Sequence, residues 1–244
     1  MKKIDVHTHF GPWNSIPGRR WDAASLVALM QQAEVEKAVV SSVRAVLTDL
    51  VPGNDETQAA IDQHEMLYGY IYVDPHRVSD SMAEIEKRRA HPKFLGIKSR
   101  DEYHGHRYND AAYREIFAAA RPHRLPALLH CFSFSAIQCA LELAADYDAP
   151  VILTHMAGFE WRRCEGLLGQ ELPPNVCFDP VSSASEPGKY ELALALLGED
   201  HLVFGTDCTL LHPGLSIGAV ESSELSEEVK RKLYWDNPKR IFFP

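Results

Sequence analysis

Histidine and aspartate side chains stand directly after several short apolar runs of this chain, where they could bind one metal ion. His7 and His9 are two residues apart in DVHTHF. Residues i and i+2 of an extended strand point to the same face, so both imidazoles can reach one ion. His130 follows ALL, His155 follows VILT, and Asp207 ends VFGTD. Neutral imidazole and carboxylate are the ligands expected of zinc, manganese or iron.

Each of these residues also has a structural explanation when it is taken alone. His7 and His9 could be a solvated pair, since a lone His-x-His motif is common without a metal. His130 and His155 could be core histidines with satisfied hydrogen bonds. Asp207 could cap the helix that follows it, because Asp favours helix starts. A shared ion accounts for all five residues at once, which makes a metal site the stronger interpretation.

Eight short apolar runs bounded by turn residues recur along the chain, and the candidate ligands follow four of them. The runs lack polar alternation and are rich in Val, Ile, Leu and aromatic residues, as expected of strands buried on both faces of a parallel sheet. Their centres lie about 24 to 35 residues apart, which is the length of one βα unit. The predicted strands are 4–6, 38–43, 68–73, 94–97, 127–129, 151–153, 176–178 and 202–204.

Helix-periodic stretches fill the gaps between these strands. Amphipathic helices are predicted over 23–35, 79–90, 110–121, 135–147, 190–197 and 226–234. Ser226 is the expected N-cap of the last one. Eight βα units without a linker predict an α/β fold, a single-domain (β/α)8 TIM-type barrel over residues 1–244, rather than an open doubly wound sheet. In such barrels the active site lies at the carboxyl ends of the strands.

The composition is that of a globular protein and argues against several functional classes. The 34 acidic and 25 basic residues give a formal charge of −9, which disfavours a nucleic-acid partner held by phosphate contacts. No apolar run approaches the roughly 20 residues that cross a bilayer, and no signal peptide is expected at the N-terminus. Five cysteines without a Cys-x-x-Cys pair favour a reducing, cytoplasmic location.

The combination of motifs resembles the amidohydrolase superfamily of metal-dependent barrels, and the similarity covers nearly the whole chain. DVHTHF is similar to the first-strand motif of that superfamily, LLHCF and LTHMAG to its fifth- and sixth-strand histidines, and FGTDCTL to its eighth-strand aspartate. The ending DNPKRIF resembles the closure of the branch that includes aminocarboxymuconate semialdehyde decarboxylase and many small hydrolases, with Ile241 in place of Leu.

The resemblance implies a role for each of these residues. His7, His9, His130 and Asp207 would hold the metal, and His155 would face the substrate as an acid, a base or an oxyanion partner. A divalent cation can lower the pKa of bound water to about 7, while Asp207 would accept a proton and later deliver one to the leaving group. The expected cofactor is one divalent ion, with Zn²⁺ as the first choice and Mn²⁺ as the alternative.

Lys98 in FLGIKSR leaves the number of ions open. Some members of the superfamily carry a carbamylated lysine on strand four that bridges two metal ions, in which case His130 and His155 would bind the second ion. Other members use one ion and leave this lysine to bind substrate. A plain salt bridge at the barrel rim is a third explanation. The branch that DNPKRIF resembles is usually mononuclear, which favours one ion.

Positive charge gathers near the predicted mouth of this otherwise acidic chain. Arg and Lys side chains suit the recognition of carboxylates, so a small anionic substrate is expected. Pairing of the arginines with nearby acidic residues is the competing explanation. The residues predicted to bind the substrate are Lys98, Arg44, Arg100 and His104.

These observations predict a metal-dependent hydrolase that cleaves an amide, lactone or ester bond in a small, carboxylated substrate. A non-oxidative decarboxylase of the same branch is the alternative, although its known members are usually longer after the first strand. A different barrel-like family of phosphoesterases also begins with Asp-x-His-x-His, but the Gly-Thr-Asp and DNPKRIF motifs of this chain argue against phosphate-ester chemistry. A barrel that only binds a partner is the non-enzymatic alternative. Superfamily relatives are often dimers, so a homodimer is compatible with the resemblance.

Overall fold

Seven short strands form one parallel sheet whose order in space is their order along the chain. The computed structural model describes residues 1–15, 21–101 and 105–244. Each strand pairs in parallel with the next one along the chain. The strands are β1 (Lys3–Phe10), β2 (Val35–Ser42), β3 (Leu67–Tyr72), β4 (Phe94–Arg100), β5 (Ala127–His130), β6 (Val151–Thr154) and β7 (Val176–Asp179).

The sequence predicted a strand at the eighth apolar run, but this run forms no regular strand. It nevertheless closes the sheet through hydrogen bonds. The Val203 N–H donates to the Phe178 carbonyl of β7 at 3.0 Å, and the Val6 N–H of β1 donates to the Phe204 carbonyl at 2.9 Å. Isolated parallel bridges join the same segment to β7 and to β1. Segment 202–208 therefore takes the eighth position of the barrel, and the predicted TIM-type fold is confirmed.

β1 carries one extra residue opposite β2, next to the first candidate ligand. Asp5 pairs with Ala38 and Thr8 pairs with Val40, so three steps along β1 face two steps along β2. A bulge of this kind bends a strand and redirects its side chains. His7 lies within the bulge, which sets the direction of its imidazole.

Helices surround the sheet at the positions that the hydrophobic periodicity predicts. The helices of the described ranges are α1 (Ala23–Gln32), α2 (Val43–Leu47), α3 (Leu50–Gln63), α4 (Val78–Arg88), α5 (Ala111–Ala120), α6 (Phe134–Ala145), α7 (Lys189–Leu197), α8 (Pro213–Glu221), α9 (Glu227–Arg231) and α10 (Asn237–Phe242). The six predicted helices match α1, α4, α5, α6, α7 and α9 within three residues at either end. Ser226 caps α9 as expected, with its hydroxyl accepting from the Val229 N–H at 3.3 Å.

The sequence analysis missed α2 and α3, which follow β2 directly. Pro52 and Gly53 stand in the first turn of α3, where a turn or loop is the usual interpretation. Proline is tolerated there because its missing N–H has no partner in the first helical turn. A Cβ atom on Gly53 would lie 2.2 Å from the Ala45 nitrogen, so the glycine permits the close approach of the two helices.

The C-terminal motif closes the amino-terminal end of the barrel. Asn237 Nδ2 donates to the carbonyl oxygens of Glu199 and Leu202, both at 2.8 Å, where the eighth segment begins. Ile241 and Phe242 of α10 join the apolar cluster inside the barrel, whose other buried members are Val6, Val39, Tyr70, Leu128, Ile152, Cys177 and Val203. The opposite end, at the carboxyl termini of the strands, is left for a site. Within the described ranges, every helix is too short or too polar to cross a membrane.

Candidate metal centre and active site

The five residues singled out in the sequence meet at the carboxyl ends of the strands. His7 and His9 belong to β1, His130 is the last residue of β5, and His155 directly follows β6. Asp207 lies in the eighth segment, where its N–H donates to the His7 carbonyl at 2.8 Å. All five are buried, with between 1% and 7% of their surface exposed. We call these five residues the histidine–aspartate cluster.

The spacing of donor atoms in the histidine–aspartate cluster fits a divalent metal ion. Asp207 Oδ1 lies 3.4 Å from His7 Nε2 and 3.5 Å from His9 Nε2. Two ligand atoms that are each about 2.1 Å from a tetrahedral ion lie about 3.4 Å from one another. A donor atom of His155 also lies within 4.8 Å of donor atoms of both His7 and Asp207. The residues present therefore suit a nitrogen- and oxygen-bound metal.

Both His7 and His155 have a hydrogen-bond partner behind the ring, and the partner of His155 fixes its tautomer. His7 Nδ1 is 2.9 Å from Asp179 Oδ2, and His155 Nδ1 is 2.8 Å from the Val181 carbonyl oxygen. Because a carbonyl oxygen can only accept, His155 carries its proton on Nδ1 and a lone pair on Nε2. Among the described residues, nothing hydrogen-bonds to this buried Nε2. A lone pair in this position is suited to bind a metal or to accept a proton.

Lys98 lies against the first-strand motif. Its Nζ is 2.9 Å from His9 Nε2, while His9 Nδ1 is 3.0 Å from the hydroxyl of Ser41. Burial lowers the pKa of Lys98 to about 7, against the attraction of Asp207. The structure thus brings this residue, predicted to bind substrate, into direct contact with a predicted metal ligand.

His130 packs against His155 and Phe132. Its ring centroid is 4.3 Å from that of His155, and its ring stacks on Phe132 at 5.9 Å. In the described part of the chain, donor atoms of His7, His155 and Asp207 all lie within 4.8 Å of one another, and His130 is not part of this group. The structure therefore places His155 near enough to the candidate metal position to serve as a ligand. The ligand role of His130 stays a prediction.

Burial dominates the electrostatics of the cluster. It lowers the pKa of all four histidines well below the ordinary value, and the positive charge of Lys98 adds to each shift. Neutral imidazole is the form that binds metal. Burial also raises the pKa of Asp207 to about 6, although Lys98 and Arg100 oppose the change. Asp207 can therefore gain and lose a proton near neutral pH.

Two further buried aspartates support the cluster. Asp179, the last residue of β7, contacts His7 Nδ1, and its other oxygen accepts from the Val181 N–H at 3.1 Å. Asp5 accepts from the His7 N–H at 3.0 Å and from the Thr206 hydroxyl at 2.6 Å. Burial raises the pKa of both carboxyl groups, to about 7 for Asp5. The sequence analysis overlooked Asp179, although it ends its strand as the other candidates do.

The backbone is left-handed at both candidates for proton transfer. The φ angle is +66° at His155 and +53° at Asp207, and Met156 and Ala157 follow with +46° and +63°. Each such conformation costs about 1–3 kcal/mol in a residue other than glycine and persists only where surrounding contacts enforce it. Strain of this kind collects at functional sites, which agrees with the position of the cluster.

The residues predicted to bind an anionic substrate lie in different places. Arg100, the last residue of β4, is near enough that its charge lowers the pKa of His9, His130 and Asp207. Arg44 is half-exposed and pairs with Glu56 at 3.2 Å, the kind of ion pair that was its competing explanation. His104 lies outside the described residues. Arg100 and Lys98 are therefore the two predicted cations that act on the cluster.

Aromatic rings flank the cluster. The ring of Trp13 is 5.1 Å from that of His9, and its Nε1 donates to the Thr209 hydroxyl at 3.2 Å. Phe132 lies 5.5 Å from His155 and 5.7 Å from Phe159, which is 72% exposed. Flat apolar surfaces therefore stand beside the polar centre of the site.

A parallel barrel with histidines and an aspartate at its strand ends defines a class of metal-dependent enzymes. The family model described as Amidohydrolase matches residues 4–243, and the chain belongs to this family. This match confirms the resemblance found in the motifs. A comparison with curated protein sequences finds no match.

Solved structures share this fold at low sequence identity. 2,6-Dihydroxybenzoate decarboxylase from Rhizobium has a TM-score of 0.77 and 15% identity, over 99% of this chain and 98% of that chain. 5-Carboxyvanillate decarboxylase from Sphingomonas paucimobilis has a TM-score of 0.77 and 14% identity, over 99% and 98%. A 5-carboxyvanillate decarboxylase from Novosphingobium aromaticivorans, solved with manganese and 4-hydroxy-3-methoxy-5-nitrobenzoic acid, has a TM-score of 0.76 and 14% identity, over 98% and 95%.

Proposed function

We propose that this chain is a metal-dependent hydrolase that cleaves an amide, lactone or ester bond in a small, carboxylated substrate. The observation that carries the proposal is the buried, unpartnered Nε2 of His155 beside His7 and Asp207, within the described residues. A hydrolase must take a proton from the attacking water and return one to the leaving group. An imidazole and a carboxylate that share one site meet this requirement.

His7, His9, His130 and Asp207 are the proposed ligands of one divalent ion. A bound ion of this kind supplies Lewis acidity, which polarises a carbonyl group and acidifies water. Zinc is the first choice for nitrogen and oxygen donors, and manganese, present in one of the solved neighbours, is the alternative. A second ion would require carbamylation of Lys98, whose Nζ is 2.9 Å from His9 Nε2.

Asp207 is the proposed proton carrier, because its buried carboxylate lies 3.4 Å from His7 Nε2 within the cluster, where it can take a proton from water and pass one to the leaving group. The Nδ1–H of His155 donates a hydrogen bond to the Val181 carbonyl. Its Nε2 therefore serves as an acceptor rather than as a donor to an oxyanion. Lys98 and Arg100 are the proposed partners of the substrate carboxylate or of a developing negative charge. Lys98 Nζ lies 2.9 Å from His9 Nε2, and Arg100 is the last residue of the same strand, β4.

Non-oxidative decarboxylation is the second candidate, and the aromatic rings around the cluster favour it. The solved neighbours named above are decarboxylases of aromatic carboxylates, and the match covers 95–98% of their chains. In this case protonated Asp207 would donate to the carbon that loses carbon dioxide, and Trp13 and Phe132 would flank a planar substrate.

Metal analysis tests the shared part of both reactions. Protein purified without chelator should contain about one equivalent of zinc or manganese, and Asp207→Asn should lose most of it. Asp146→Asn, a change on the exposed surface, should keep the wild-type content. About two equivalents would assign a bridging carbamate to Lys98. A protein without metal, even after reconstitution with zinc and manganese, would overturn the proposal.

Product analysis separates the reactions. The metal-loaded enzyme should release acid from carboxylated lactones, amides or esters without loss of carbon dioxide. Carbon dioxide release from hydroxybenzoates would instead establish decarboxylation, and phosphate release from simple esters would overturn both candidates. The non-catalytic alternative would be established by two results together. Wild type would turn over none of these substrates, and His7→Ala would bind a partner protein as wild type does.

A further inference from the structure

Lys189, the first residue of α7, is a buried lysine behind the histidine–aspartate cluster. It is 1% exposed, and its Nζ donates to the His155 carbonyl and to the Ser182 hydroxyl, both at 2.8 Å. The Ala184 carbonyl is 3.5 Å away. An ammonium group taken out of water is costly unless its protons are hydrogen-bonded. Here three oxygen atoms surround its three donors, so the position is built for a cation.

The segment that Lys189 binds also orients both neighbouring histidines. Asp179 contacts His7 Nδ1, and the Val181 carbonyl accepts from His155 Nδ1. Ser182, the next residue, accepts from Lys189 and from the Ala184 N–H at 3.0 Å. Segment 179–184 therefore lies behind the rings, and Lys189 fixes its far end.

Lys189 also binds the carbonyl of His155, the first residue of the left-handed backbone. β6 ends at Thr154, and His155, Met156 and Ala157 all have positive φ angles. Such a run needs contacts that enforce it. The Ala157 N–H donates to the Cys131 carbonyl at 2.9 Å at one end of the run, and Lys189 binds the His155 carbonyl at the other.

We propose that Lys189 is a positioning residue of the site. By binding the His155 carbonyl and the Ser182 hydroxyl together, it joins the left-handed backbone to segment 179–184 and so holds His155 Nε2 toward His7 and Asp207. Lys189 acts through His155 and contacts no reacting atom. The catalytic consequence rests on the proposed function, whereas the positioning itself is a property of the metal-free protein.

The first measurement is the tautomer of His155 in metal-free protein. Long-range ¹H–¹⁵N spectra report which ring nitrogen of a histidine carries the proton, and His155→Gln identifies the signals of this residue. Wild type should show the Nδ1–H form. Lys189→Met should convert His155 to a mixture of tautomers. Lys230→Met is the matched control, because Lys230 is also buried and donates to a backbone carbonyl, that of Glu221, at 3.2 Å.

The second measurement is the affinity of the metal-free variants for zinc by calorimetry. Residues that orient a ligand typically change metal affinity by about 10- to 100-fold when removed. Segment 179–184, which Lys189 fixes, carries Asp179, the residue that contacts Nδ1 of the proposed ligand His7. Lys189→Met should therefore bind zinc at least about tenfold more weakly than wild type, and Lys230→Met should stay within about twofold. Ser182→Ala removes only the hydroxyl partner of Lys189 and should also give a mixture of His155 tautomers and weaker zinc binding. This variant tests the inference if Lys189→Met does not fold.

An unchanged Nδ1–H form of His155 together with unchanged zinc affinity in Lys189→Met, or in Ser182→Ala, would overturn the inference. A shift in both measurements together with no hydrolysis by wild type would leave the inference standing and count against the proposed function alone.

Discussion

Asp207→Asn should make the metal-free protein more stable at pH 8. The Asp207 side chain is buried, and burial raises its pKa to about 6 from an ordinary value of 3.8. The ionised carboxylate is therefore less favourable in the folded protein than in the unfolded chain. Asparagine has nearly the same shape and no charge, so the substitution removes an unfavourable ionisation.

The magnitude follows from the two pKa values. An aspartate with a raised pKa binds more protons when folded, so its contribution to stability is complete below about pH 4 and is lost as the pH rises through about 6. A difference of about two pKa units corresponds to about 3 kcal/mol at 1.36 kcal/mol per unit. We expect Asp207→Asn to be about 3 kcal/mol more stable than wild type at pH 8, and less than about 1 kcal/mol more stable at pH 4.

Thermal unfolding of chelator-treated protein, followed by circular dichroism, measures this difference. In a chain of this size 3 kcal/mol corresponds to a rise in Tm of about 6–12 °C. Asp146→Asn is the control, since Asp146 is exposed and pairs with Arg114 at the surface, and its stability should change by less than about 0.5 kcal/mol at either pH. The reasoning is refuted if Asp207→Asn melts below wild type at pH 8, or if its advantage does not change between pH 4 and pH 8.

Zinc should reverse this order, because wild type keeps the ligand that the variant has lost. Binding to the folded state adds about 4.1 kcal/mol of stability at a free metal concentration of about 1,000 times the Kd, which exceeds the advantage of about 3 kcal/mol expected for the variant. Wild type at pH 8 should therefore gain several degrees in Tm with zinc, while Asp207→Asn gains little. An equal gain in both proteins would show that zinc binds elsewhere.

Three further predictions concern other parts of the molecule. Asp179→Asn should weaken zinc binding by about 10- to 100-fold in calorimetry, because the variant lacks the carboxylate that orients the His7 ring. Unchanged affinity would contradict this role of Asp179. Gly53→Ala should lower the free energy of unfolding in urea by about 1–3 kcal/mol through overpacking, whereas Gly218→Ala in α8, with open space around the new Cβ, should be neutral or stabilising. Arg100→Gln should raise KM for a carboxylated substrate by about tenfold with little change in kcat, and steady-state kinetics showing the opposite split would contradict a carboxylate-binding role.

The gathering of the candidate site residues could be predicted because a parallel barrel brings the carboxyl ends of its strands together. Each strand is buried on both faces, so its apolar run and its end are visible in the sequence. His7, His9, His130, His155 and Asp207 end or follow such runs, and the structure places them together. The amphipathic helices were also predictable, because each helix buries one stripe of apolar residues that shows as a periodic pattern in the sequence.

Two features of the fold were not visible in local patterns. The first turn of α3 contains Pro52 and Gly53, which favour a turn when only the neighbouring residues are considered. The close packing against Ala45 that makes the glycine necessary is a tertiary contact. Likewise the run at 202–204 has the composition of a strand, but its pairing with β7 and β1 is reduced to a few hydrogen bonds.

The sequence by itself determined which side chains gather at the mouth of the barrel, and the tertiary structure alone decided what each of their nitrogen and oxygen atoms can do. The contacts of His155 with Val181 and of His7 with Asp179 join residues far apart in the chain, and the first of them determines which ring nitrogen of His155 carries a lone pair. Lys98 beside His9 is likewise a contact between distant strands. Tautomers and pKa values depend on such neighbours and on burial, neither of which a local pattern encodes.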